Sequence, residues 1–175
     1  MQSHYIITII GEDRPGLVEA VSATVSAHEG NWLESRFSQL GGKFAGLVSL
    51  TLSEGSADAL ETELKSLFPG KLSMRLTWVD NKLGSFTQEP ANIAISLIGP
   101  DRKGIVHEVS AALSDRGVNM LEMETRVSSA PMTGEPLFEA TVTGFMADEE
   151  RLNDLLEHLD EIANEMTLDI DLERT

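Results

Sequence analysis

Cysteine is absent from the 175 residues. That excludes disulfide staples, thiolate nucleophiles and thiolate metal ligands. Aromatic residues make up only 5% of the chain, too few for a base-stacking platform. Cations are scarce as well: 13 Lys and Arg face 29 Asp and Glu, a net charge of −16. The deficit is uneven, with 7 cations against 10 anions in residues 1–87 and 6 against 19 in residues 88–175. Nucleic-acid affinity rests on Lys and Arg neutralising phosphates, so no direct nucleic-acid binding is expected. The acidity reads as a solvated face or as a docking surface for a basic partner.

Long apolar runs are also missing. None approaches the roughly 20 residues that span a bilayer, so no membrane partner is expected. Met1-Gln2-Ser3-His4 leads directly into a strand-like run, without the basic and apolar regions of a signal peptide. A cytoplasmic location is the expectation. His4, His28, His107 and His158 show no H-x-H or H-E-x-x-H spacing, which leaves no metal site or cofactor to expect. His107-Glu108 reads as a solvent-facing pair early in a helix, and Glu149-Glu150 and Asp160-Glu161 as the outer face of another. Met120, Met123, Met132, Met146 and Met166 read as core filler.

What the chain does have is one stretch stated twice. Ile9-Ile10-Gly11-Glu12-Asp13-Arg14-Pro15-Gly16-Leu17-Val18 is echoed by Leu97-Ile98-Gly99-Pro100-Asp101-Arg102-Lys103-Gly104-Ile105-Val106. The register continues: Val21-Ser22-Ala23 maps onto Val109-Ser110-Ala111, and Asn31-x-Leu33-Glu34 onto Asn119-x-Leu121-Glu122. Such a repeat predicts two small domains, over residues 1–80 and 92–175, joined by a linker at 81–91 that carries Gly84, Ser85 and Pro90.

Tyr5 to Ile10 reads as a buried strand punctuated by Gly11. Leu17, Val18, Val21 and Val25 place an amphipathic helix from Pro15 to about Glu29, with Asp13 as its N-cap, Pro15 in its first turn and Gly30 as its stop. Asn31–Leu40 and Lys43–Leu52 read as strands joined by a Gly41-Gly42 hairpin turn. Leu60, Leu64 and Leu67 mark a second helix, ended by Pro69-Gly70. Leu72, Met74, Leu76 and Trp78 alternate as a strand with one buried face. The second half repeats the order: a strand over Asn92–Ile98, a helix from Ile105 that Gly117 ends, strands over Met120–Ser128 and Leu137–Met146, a helix on Leu152, Leu155, Leu156 and Leu159, and a last strand on Met166, Leu168, Ile170 and Leu172. The fold class is α+β: two tandem ferredoxin-like βαββαβ domains with antiparallel sheets. Phe44 corresponds to Phe138, so the second hairpin is six residues longer. Its tip, Ser129 to Pro136, carries two prolines that bar a regular ladder, and it reads as a plain surface loop or a contact loop.

A strand ending in Gly-x-Asp-Arg-x-Gly before a helix exposes backbone N–H groups at the positive end of that helix, an anion site suited to a carboxylate. Gly11, Gly16, Gly99 and Gly104 let a ligand or neighbouring chain approach the backbone. Asn31 and Asn119, placed close to the same end, can donate to a carboxylate and accept from an ammonium group. The bland alternative is a tight βα turn with no ligand. Leu17-Val18 and Ile105-Val106 stand where a P-loop needs Lys-Ser/Thr, which excludes triphosphate binding of that kind. Arg14 or Arg102 cradling a phosphoryl group, as in a small acyl-phosphate hydrolase, is the enzymatic alternative; no positioned water or further donors accompany it.

On these turns, and on the Ala130-Pro131-Met132-Thr133-Gly134-Glu135-Pro136-Leu137-Phe138 hairpin, each half resembles an ACT domain. The whole chain is similar to the glycine cleavage system transcriptional repressor family. That resemblance implies a regulator rather than an enzyme, with no DNA-binding domain of its own. It would contact a DNA-binding activator under the control of a small amino acid such as glycine. It implies ligand-binding roles for Gly11, Asp13, Arg14, Pro15, Gly16, Leu17 and Asn31 in the first half. Gly99, Asp101, Arg102, Gly104, Ile105 and Asn119 are their counterparts, and no cofactor is implied. Lys103 in place of proline, and Trp32 opposite Met120, are differences that can close one site. The resemblance also implies a homodimer.

Overall fold

A computed structural model describes residues 2–67, 69–79 and 90–175. The chain divides into two compact units, Met1–Thr87 and Gln88–Thr175. Most of the expected linker, residues 81–89, lies outside the described residues.

Unit 1 runs β1 (Gln2–Glu12), α1 (Leu17–Ala27), β2 (Asn31–Leu40), β3 (Lys43–Ser53), α2 (Ala57–Leu67) and β4 (Leu72–Val79). Unit 2 runs β5 (Ile93–Pro100), α3 (Ile105–Asp115), β6 (Val118–Ser129), β7 (Pro136–Met146), a 3₁₀ turn over Glu149–Arg151, α4 (Leu152–Met166) and β8 (Asp169–Arg174). The sheets are antiparallel, in the orders β2-β3-β1-β4 and β6-β7-β5-β8. The expected βαββαβ repeat is the observed one.

Period-2 alternation decides what each sheet buries. Ile7 and Ile9 of β1 and Val48, Leu50 and Leu52 of β3 face the helices, packing with Leu17, Val21 and Val25 of α1 and Leu60 and Leu64 of α2. In unit 2 the same layer joins Ile93, Ile95 and Leu97 to Ile105, Val109 and Leu113 of α3 and Leu155 and Leu159 of α4. The opposite face of each sheet, carrying Thr8 and Leu47 in unit 1 and Ser96 and Thr141 in unit 2, is exposed. One extra residue bulges from each second strand at the same repeat position, between Trp32 and Glu34 and between Met120 and Glu122.

The hairpin of unit 1 closes on Gly41 and Gly42 with φ of 57° and 75°, the paired positive values that a two-residue type I′ turn requires. In unit 2 the ladder adds the pair Ser129–Pro136. The six residues beyond it form a closed tip. Ala130 N–H donates to the Glu135 carbonyl at 2.8 Å and Gly134 N–H to the Ala130 carbonyl at 2.9 Å.

Several boundaries differ from the expectations. β1 runs through Gly11 to Glu12 rather than stopping at it. α1 ends at Ala27, and the left-handed residue after it is Glu29, φ 57°, not Gly30. Gly30 is small because a Cβ there would come within 2.8 Å of Val25 Cγ1. Met166 closes α4 instead of opening the last strand, since Thr167 turns the chain at φ 59°. Trp78 lies on the helix-side face yet is 56% exposed, and Met132 is 98% exposed at the hairpin tip, so it fills no core.

Candidate functional site

Each repeated turn begins at a glycine pressed against the neighbouring strand. Gly11 pairs with Phe44 on one side and Leu72 on the other, and a Cβ on it would overlap Leu72 Cδ2 and the Lys71 carbonyl oxygen. Gly99 stands in the same relation to Leu168 and Thr167, at 2.6 and 2.8 Å from Leu168 Cδ2 and the Thr167 oxygen. These glycines were expected to admit a ligand or a neighbouring chain; they admit their own unit's last strand. The close approach is internal.

Gly16 and Gly104 serve differently. Their surroundings are open, and they hold φ 82°, ψ 0° and φ 100°, ψ −14° at the N-caps of α1 and α3. Those angles match the third position of a type II turn, where proline favours the second and glycine the third. Pro15-Gly16 therefore belongs to a turn closed by Leu17 N–H and the Arg14 carbonyl at 3.4 Å. The helix starts at Leu17 rather than at Pro15. The Pro-Gly pair carried that signal in the sequence.

No side chain caps either helix, which corrects the N-cap role expected of Asp13. Its Oδ2 instead accepts from Gln39 Nε2 at 2.7 Å, pinning the turn to the far end of β2. Both helices thus present uncapped first-turn N–H groups, with the positive end of the dipole outward. Leu17 and Ile105 are buried beneath these turns and hold the helix starts against the sheets.

The two turns differ in charge. Arg14 Nη2 donates to Glu12 Oε2 at 2.9 Å. That bond, with the Arg14, Lys43 and Lys71 charges nearby, holds the Glu12 carboxyl below the usual glutamate range. Pro100, Leu137 and Thr167 occupy the corresponding places in unit 2. Arg102 and Lys103 are exposed and form no ion pair among the described residues. Asp101 N–H donates to the Pro136 carbonyl at 3.0 Å, tying this turn to the base of the long hairpin. Gln39, Lys43, Lys71 and Pro136 are turn partners that motif reading missed, because register rather than sequence distance brings them there.

Asn31 and Asn119 do not join the turns of their own units. Asn31 pairs with Thr51, level with His4, whereas Gly11 is level with Phe44. The rows are seven residues of β3 apart, about 23 Å at the rise of an antiparallel strand. Asn119 pairs with Phe145 and Gly99 with Phe138, the same separation. The helix carries the chain back to the opposite end of the sheet before the second strand begins. That overturns the expectation that the asparagines lie near the turn end.

Arg14, the candidate phosphoryl cradle of the enzymatic alternative, is engaged by Glu12. No cluster of three or more His, Asp or Glu suited to a metal occurs among the described residues. No described helix is long and apolar enough to cross a membrane.

Comparisons with known proteins follow the repeat. ACT-domain family profiles match residues 3–74 and 93–164. The glycine cleavage system transcriptional repressor of Escherichia coli (strain K12) is 24% identical over 129 residues, covering 74% of this chain and 67% of that protein. The crystal structure of an unknown protein from Galdieria sulphuraria superposes with a TM-score of 0.85 at 27% identity, covering 100% of this chain and 99% of that one. A structure assigned to a glycine cleavage system transcriptional repressor superposes at 0.71 with 18% identity, covering 100% and 98%, and shows the shared fold. With the two βαββαβ units, their paired turns and these matches together, the chain belongs to the ACT-domain family as a tandem pair of ACT domains related to the glycine cleavage repressor.

Proposed function

We propose that this protein is an amino-acid-responsive transcriptional regulator without catalytic activity. In this reading it is cytoplasmic and acts by protein–protein contact on a DNA-binding activator. The observation that carries the reading is the duplicated, uncapped type II turn at the N-termini of α1 and α3. Backbone N–H groups there favour the carboxylate of a small amino acid of the glycine type. The second turn is the stronger of the two, since Arg102 and Lys103 form no ion pair among the described residues while Arg14 is neutralised by Glu12. The turn residues from Gly11 to Leu17 and from Gly99 to Ile105 form the two effector sites. One amino acid cannot bridge the distance from a turn to the Asn31 or Asn119 of the same unit, so an asparagine that takes part comes from outside that unit.

The test is a thermal-shift screen of the full chain against the twenty amino acids at millimolar concentration. A selective shift with glycine or a close relative is expected, corresponding to roughly 2.7 kcal/mol when the ligand reaches about 100 times Kd. Arg102→Ala is expected to weaken the shift more than Arg14→Ala. A flat screen with the protein folded counts against the effector role.

A further inference from the structure

The tip of the β6–β7 hairpin carries side chains that the fold does not use. In unit 1 a two-residue turn closes the same ladder, whereas six residues lie beyond the Ser129–Pro136 pair in unit 2. Every residue from Pro131 to Pro136 is exposed. Backbone bonds from Ala130 to Glu135 and from Gly134 to Ala130 hold the tip, Ser129 Oγ donates to the Gly134 carbonyl at 3.0 Å, and Gly134 turns at φ 73°. None of these involves the side chain of Met132, which is 98% exposed. The other described methionines sit differently. Met74 and Met146 are 6% and 1% exposed, and Met120, Met123 and Met166 are half-buried against the core of unit 2. No cysteine competes with them for an oxidant. Among the described residues the fold therefore shields every thioether but one, and it holds that one out on a closed tip.

We propose that Met132 is a reversible oxidation site, which takes an oxygen atom from a hydroperoxide and becomes methionine sulfoxide. Oxygen transfer requires the peroxide to reach the sulfur, so exposure decides which methionine reacts first. The thioether sulfur gives a lone pair to the outer peroxide oxygen, the O–O bond breaks and an S–O bond forms. Sulfur is oxidised by two electrons, and the proton of the transferred oxygen passes to the departing one, which leaves as water or an alcohol. The product side chain is polar and chiral. The tip thus changes from apolar to polar while the ladder and the core keep their contacts, because neither rests on this side chain. The same exposure lets a methionine sulfoxide reductase reach the product and reverse the change. The modification stands apart from effector binding at the turns and needs no ligand there.

Limited treatment of the folded full chain with hydrogen peroxide tests this, with the added oxygen located by peptide fragmentation in a mass spectrometer. Met132 is expected to oxidise about tenfold or more faster than Met74 and Met146, and ahead of Met120, Met123 and Met166. Met1, outside the described residues, is scored on its own peptide. The protein oxidised at Met132 is expected to keep the urea midpoint of the untreated protein. Methionine sulfoxide reductases of both epimer specificities are expected to restore its thioether without unfolding. Met132→Leu is expected to fold with the same midpoint and to lose the early oxygen uptake. A Met132 that reacts no faster than the buried methionines overturns the proposal. So does a sulfoxide that lowers the midpoint, or one that the reductases remove from the unfolded chain but leave in the folded one.

Discussion

Gly99 and Leu168 are so close that a methyl group on the glycine would lie 2.6 Å from Leu168 Cδ2. Gly11 meets Leu72 in the same way, and the carbonyl oxygen beyond each leucine's N–H leaves the new methyl no room. Gly11→Ala and Gly99→Ala are therefore expected to destabilise their units by about 1–3 kcal/mol through overpacking. Gly16→Ala meets open space and carries only the left-handed backbone penalty, about 1–2 kcal/mol. Urea unfolding separates the two causes: Gly16→Ala can be partly rescued by Gly16→Asn, which tolerates the left-handed region, whereas Gly11→Asn should be worse than Gly11→Ala.

Glu29 sits at φ 57° after α1, and the repeat places Gly117, φ 72°, at the same point after α3. Glu29→Gly should remove a left-handed strain and stabilise unit 1 by about 1 kcal/mol. A raised urea midpoint with an unchanged slope is the expected outcome. Gly117→Glu should lower it by a similar amount.

Glu139 accepts from Arg126 and from Ser128 Oγ, and these bonds hold its carboxyl below the ordinary glutamate value. A depressed folded pKa gives stability that is present above the unfolded value, about 4.3, and lost as pH falls through the folded one. Carboxyl carbon NMR should show Glu139 titrating below the exposed glutamates. Arg126→Gln should bring it back toward them, with little change in stability at neutral pH because the Arg126 side chain is 75% exposed.

The long hairpin can be exchanged for the short one. Replacing Ser129–Pro136 by Gly-Gly gives β6 and β7 the turn that closes β2 and β3 in the same register. The variant is expected to fold, with a change within about 1 kcal/mol from the shorter loop closure. In unit 1, which the Gly-Gly turn closes, the Asp13 N–H makes no such bond to the hairpin among the described residues, so hydrogen exchange at the Asp101 amide is expected to quicken. Fast exchange would show that Pro136 itself holds the turn.

The repeat, the element order and most strand limits were legible because apolar spacing and glycine pairs are local signals. The turn itself was legible as an exposed backbone feature, but three assignments within it were not. Gly11 answers to Leu72, sixty-one residues away, and no local pattern announces that contact. Asp13 was given the cap because it precedes an apolar run, yet Gln39 takes its carboxylate across the top of β3. Asn31 was placed near the turn by its nearness to the helix, although an 11-residue helix moves the chain by about 16 Å and delivers it to the other end. Tertiary direction, not residue type, decided that error.

The paired bulges set a reading frame. Trp32 lies opposite Leu50 and points at the core, while Glu34 lies opposite Ser49 and points away from it. Were Leu33 paired in the ladder instead of bulged out of it, Glu34 would fall opposite Val48 and Arg36 opposite Gly46, and the alternation beyond would invert. Phe37 would leave the aromatic stack it makes with Phe44, whose ring centroid is 5.2 Å away. Leu121 plays the same part for Glu122, Glu124 and Arg126. A single surplus residue in each edge strand thus acts as a frameshift that lets one continuous strand bury its first residues by one parity and its last by the other. The sign and polarity of each exposed face are written in the frame that this residue selects.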